Sequence, residues 1–170
     1  MNRTPAPTRI ASCACGRVLC EATGAPMVSL VCYCDDCQRG ARAIEALPNA
    51  AAFRDADGGT PILAYRDDRF RCAEGADLLV DYKLGAASPT RRVVASCCNS
   101  AMFLKYGPGF WTSAYRARFA GDPPPPDMRI QTAQRRADGP LPRDSPGYRG
   151  MPARLLARML AARVAMLLGR

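Results

Sequence analysis

The stretch Cys32-Tyr33-Cys34-Asp35-Asp36-Cys37-Gln38-Arg39 sets three thiols within six residues, in the spacing C-x-C-x-x-C. Zinc takes soft thiolate ligands at about 2.3 Å in a tetrahedral shell, and a C-x-x-C turn can present both its sulfurs to one ion. Three such ligands fill three corners and leave the fourth open to water or substrate. The alternative is a closed structural site completed by a distant residue. Either way, the chain around residues 32–37 is expected to be organised by a metal.

The remaining cysteines sort by spacing. Cys13-Ala14-Cys15-Gly16 puts two thiols before a glycine that lets the backbone turn without a Cβ clash. Cys97 and Cys98 form a second pair, followed by Asn99-Ser100. The two pairs add up to four sulfurs, enough to close one tetrahedral site, while the triple makes another with an open position. Cys20 and Cys72 stand alone in strand-like contexts and read as small buried apolar residues. The chain contains no histidine. Imidazole ligands and Ser-His or Cys-His nucleophiles are therefore excluded, and any acid or base is a carboxylate, a tyrosine, a thiol or a metal-bound water.

Nine cysteines are many for 170 residues. Met1 to Arg9 is polar and Pro-rich with no apolar run behind it, so a secreted disulfide scaffold is not expected. An odd count also argues against full pairing. The expected location is cytoplasmic, where clustered thiols serve metal or redox chemistry. No apolar run is long enough for a transmembrane segment. The net charge of +9 is uneven: residues 1–115 carry 13 basic and 11 acidic side chains, residues 116–170 carry 11 and 4. The excess sits in the tail, away from the thiols and without interleaved aromatics, which argues against nucleic-acid recognition.

Short strand candidates recur at 17–22, 27–31, 62–65, 69–72, 78–84, 91–96 and 102–106, separated by Gly-, Pro- and Asp-rich turns, and the aromatic run 110–115 is read as closing the core, with lining a cleft as the alternative. Asp35 to Leu47 reads as a helix, with Asp35 as N-cap, Asp36 at the positive end of the dipole and Pro48 as the stop. This rhythm predicts a mainly β fold of small sheets with a helix appended. The expected organisation is a flexible arm over 1–11, a zinc-binding domain over 12–120, a Pro/Arg-rich linker over 121–150 and a C-terminal helix over 151–170. That helix gathers Leu155, Leu156, Met159, Leu160, Val164 and Leu167 on one arc, interrupted by Arg163, with Arg154 and Arg158 opposite. It is read first as packed on its own domain or self-associating with a sister chain, and second as lying on an anionic membrane surface with snorkelling arginine.

Cys-x-Cys-Gly, then Cys-Tyr-Cys-x-x-Cys-Gln-Arg, then a distal cysteine pair before a small residue and Ser resembles the glutathione-dependent formaldehyde-activating enzyme family, which includes centromere protein V-like proteins. The resemblance spans about residues 12–105. It implies a β-tent fold around zinc, with Cys13, Cys15, Cys97 and Cys98 at a structural zinc and Cys32, Cys34 and Cys37 at a second, catalytic one. It further implies a carbon–sulfur lyase chemistry, the joining of formaldehyde to the glutathione thiol, with a small thiol-containing substrate. Arg39 is then the candidate for a substrate carboxylate. The chain departs from the family's Cys-x-x-Cys-Gly-Ser ending. Ala95 stands at the first thiol, Asn99 replaces Gly, and Cys97 is adjacent to Cys98. Adjacent cysteines chelate one ion only with local strain, which leaves one or two zinc ions open. A non-catalytic zinc-stabilised scaffold, binding a partner through the basic tail, is the alternative.

Overall fold

The computed structural model describes residues 6–169. Ten strands form two sheets. The smaller has the order β1-β2-β5, from β1 (Thr8–Ser12), β2 (Leu19–Thr23) and β5 (Phe70–Glu74). The larger runs β10-β3-β4-β9-β8-β7-β6, from β3 (Val28–Cys32), β4 (Thr60–Arg66), β6 (Leu79–Tyr82), β7 (Thr90–Ala95), β8 (Ser100–Tyr106), β9 (Trp111–Tyr115) and β10 (Met128–Ile130). Every pairing is antiparallel except β10 with β3. Two α-helices complete the described fold: α1 (Asp35–Glu45) and α2 (Ala153–Leu167). The mainly β expectation with an appended helix thus holds.

β4 shows how the layers are made. Side chains alternate across a strand, and here Leu63 and Tyr65 turn towards the small sheet while Ile62 and Ala64 turn the other way. On the first side they meet Val18, Cys20, Met102 and Phe119. On the second they meet Val28, Leu30, Ile130 and Leu155 of α2. A third cluster holds α1 through Ala41 and Ile44, packed on Phe53, Val94 and Tyr115. β3 is buried along its whole length because β10 covers one edge and β4 the other.

Two expected boundaries move. Within the arm expected over 1–11, Thr8–Ser12 is a strand paired with β2; residues 1–5 lie outside those described. The linker over 121–150 is no spacer. It supplies β10, and Arg129, only 4% exposed, donates from Nε and Nη2 to Asp144 at 2.9 Å each. The polyproline stretch concealed a strand only three residues long, too short for a periodic signal. The terminal helix packs on its own chain: Leu155 is buried, Arg158 pairs with Asp127 at 2.9 Å, and Arg163 lies over the Phe110 ring at 5.3 Å. That cation–π contact explains the charge inside the apolar arc.

Candidate metal centres and the adjoining cavity

The first cysteine cluster forms where two turns face each other. The β1–β2 turn is a knuckle closed by Gly16 N–H donating to Cys13 O at 3.0 Å, with Gly16 at φ +77°. Val18 N–H donates to Cys13 Sγ at 3.3 Å. The facing β7–β8 turn carries Cys97 and Cys98, with Asn99 at φ +52°. Asn tolerates the left-handed region better than most residues, so it replaces a turn glycine at low cost. Its side-chain amide also donates to Pro48 O at 2.9 Å. Ser100 ties the two turns, accepting from Ala14 N–H at 2.9 Å and lying 3.1 Å from Cys98 Sγ. The sulfurs of Cys13, Cys15, Cys97 and Cys98 lie within 4.8 Å of one another, with Cys13–Cys15 at 3.5 Å, Cys15–Cys97 at 3.4 Å and Cys97–Cys98 at 3.9 Å. The adjacent pair therefore converges in this turn without Ala95, which is buried in the core. The Arg17 side chain, hydrogen-bonded to Cys15, holds its thiol down to about 6.

The second cluster sits where β3 hands over to α1. Cys32 ends the strand, and Cys34 caps the helix, its sulfur accepting from Cys37 N–H at 3.4 Å. Asp35 was the expected cap. The sulfur takes that place one residue earlier, and Asp35 instead pairs outward with Arg136 at 2.7 Å. Cys32, Cys34 and Cys37 bring their sulfurs within 4.8 Å of one another. Hydrogen bonds from Cys32 and then Cys37, opposed by burial and helped by the Cys37 N–H and Arg92, hold the Cys34 thiol down to about 3. The same contact with Cys34 pushes Cys32 up to about 12.

Sequence reasoning missed what surrounds this loop. Arg92, 1% exposed, reaches from β7 under α1 and donates from Nη2 to Asp36 O at 2.5 Å, while its Nη1 has no hydrogen-bond partner. Gly40 is required there, because a Cβ would collide with the Arg92 guanidinium. Tyr33 points away from the sulfurs, donates to Asp57 at 2.5 Å and accepts from Arg129. Gln38 donates to Tyr33 O at 2.5 Å and to Gln134 O at 2.8 Å, and Gln134 accepts from Asp35 N–H at 2.8 Å. The tail therefore clamps the cysteine loop from outside. Arg39 is elsewhere: it lies on the exposed face of α1, 4.0 Å from Asp36. Cys20 and Cys72 prove to be direct cross-strand neighbours, with burial raising the Cys20 thiol to about 12.

Beside the triple lies a cavity of about 390 Å³, walled by β3, β4, β9 and α2 and lined by Cys32 and Cys37. A second hollow, of about 420 Å³, is lined by Asp55, Asp57, Arg129 and Asp144 and contains no thiol.

Two sets of cysteine sulfurs, one of four and one of three beside a cavity, held at turns and a helix start of a two-sheet β fold, define a cysteine-rich β protein with metal-type sites. The sequence profile of the glutathione-dependent formaldehyde-activating enzyme family matches residues 8–112, and the chain belongs to that family. A crystal structure of a Rhodobacter sphaeroides protein, from a structural genomics programme, is 18% identical with a TM-score of 0.48, over 68% of this chain and 91% of that one. No curated protein matches the chain.

Proposed function

We propose that the chain is a zinc enzyme of carbon–sulfur lyase type acting on a thiol adduct, with Cys32, Cys34 and Cys37 as its reactive site. The observation that carries this reading is the inequality of the two clusters. The four-sulfur set is complete in itself, whereas the three-sulfur set is one ligand short and opens on a cavity. Ligands at about 2.3 Å from a tetrahedral zinc stand roughly 3.8 Å apart, and the Cys13/Cys15/Cys97/Cys98 contacts of 3.4 to 3.9 Å suit that spacing. Cys32, Cys34 and Cys37 would hold the second ion, which when bound supplies a Lewis-acidic position open to a thiolate or a carbonyl oxygen.

The chain's own residues prepare the rest. Three thiolates concentrate negative charge, and the buried Arg92 cation lies against them through the first turn of α1. The Cys37 N–H fixes the Cys34 sulfur. The Tyr33–Arg129–Asp57 network and the Gln38–Gln134 bonds hold the loop to the tail, so that its three sulfurs converge without rearrangement. The cavity wall beside the triple is almost wholly apolar.

The test combines metal content with turnover. Protein purified without oxygen should carry two zinc ions per chain by elemental analysis and native mass spectrometry. Cys34→Ser should lose one ion and thiol–aldehyde turnover while keeping the fold. Unchanged turnover in that variant sinks the proposal. A single ion lost with Cys13 but not with Cys34 would instead favour a zinc-stabilised scaffold.

A further inference from the structure

The cavity beside the triple is unsuited to the family's named substrates. Formaldehyde has two heavy atoms, yet the space of about 390 Å³ equals roughly a dozen water volumes. Glutathione carries two carboxylates and an ammonium, yet no charged residue lines the cavity. Arg39, the arginine nearest the triple in sequence, is exposed on α1 and does not line the cavity. What the cavity offers is Met27 and Ile62 from the sheet, Trp111 and Tyr115 from β9, and Leu155 and Met159 from α2. Its polar exceptions are few. Thr60 is the cross-strand partner of Cys32. It is 2% exposed, lines the cavity, and its hydroxyl has no hydrogen-bond partner.

We infer that this cavity takes an aldehyde bearing an apolar chain or ring, its body against Trp111 and α2 and its carbonyl end towards the wall that Cys32 and Cys37 line. The inference rests on the lyase reading for its chemistry. A thiolate sulfur adds to the carbonyl carbon and forms the C–S bond. The carbonyl π pair moves to oxygen, which takes the proton that the thiol gave up, and the lyase direction is the reverse. The charged part of a thiol such as glutathione stays outside the apolar walls. Two features support an apolar aldehyde over formaldehyde: the size of the space and its lack of charge.

Trp111 is the chain's only tryptophan, so its fluorescence reports the cavity directly. Octanal should change that signal saturably in the zinc-loaded protein, and Leu156→Arg, at the half-exposed rim, should weaken its binding at least about tenfold. With one thiol, kcat/KM should be at least about tenfold higher for octanal than for formaldehyde. Preference for formaldehyde would overturn the inference while leaving the lyase reading standing. Octanal binding that alters Trp111 without turnover of either aldehyde would support the ligand class and sink the lyase reading. A Trp111 signal indifferent to octanal would overturn the inference outright.

Discussion

At the scale of single residues, the site depends on what has no side chain as much as on what carries a thiol. Gly40 sits inside α1, where a glycine normally costs about 1 kcal/mol against alanine. Here the Arg92 guanidinium crosses that position, and Arg92 is too buried to move aside. Gly40→Ala should therefore destabilise by about 1 to 3 kcal/mol, the range for overpacking, against the gain that helix propensity alone predicts. Urea titration beside wild type measures the sign. Asn99 makes the complementary point. Its positive φ is one that asparagine accepts, and its amide pins the turn to Pro48. Neither role is readable from the linear order, because each depends on a partner more than 50 residues away.

At the scale of elements, the segment 121–150 illustrates the limit of composition. Its prolines and arginines read as a spacer, yet β10 closes the edge of β3 and its central residue anchors a network under the cysteine loop. The Arg129 guanidinium beside Asp144 holds that carboxyl below the ordinary carboxylate range. A carboxyl whose folded pKa is lowered adds stability above its unfolded value, near pH 4, and the addition fades as pH falls through the folded value. Asp144→Asn should accordingly be less stable than wild type at pH 7, and the gap between their urea midpoints should close on acidification towards pH 2. A gap unchanged with pH would mean that the ion pair contributes nothing. The strands, by contrast, were largely legible: period-two alternation and turn residues located β2 to β8 to within a few positions, because those rules act locally, whereas the aromatic run that became β9 was read only as core.

At the scale of the whole molecule, α2 is both a packing element and a cavity wall. Leu155 is buried in the cluster that includes Cys32, while Leu156, Leu160, Val164 and Leu167 of the same apolar arc face outward. No helix among the described residues is long and apolar enough to cross a membrane. Removing residues 151–170 should leave the two sheets folded but uncover Trp111. The expected readouts are a red-shifted tryptophan emission and a melting temperature lower by about 4 to 8 °C, as loss of about 2 kcal/mol from one buried leucine implies. Unchanged emission would show that the helix does not close the cavity.

The sequence by itself determined the donor chemistry, the grouping of the cysteines into two pairs and a triple, the mainly β architecture and the family. Thiol spacing, absent histidine and strand periodicity are local properties, written in consecutive residues. The tertiary structure alone decided that adjacent Cys97 and Cys98 converge with Cys13 and Cys15, that Arg92 and the tail brace the triple, and that an apolar cavity rather than Arg39 adjoins it. Those arrangements join segments far apart in the chain, and their geometry is set by which strands pair and which side chains fill the space between the sheets.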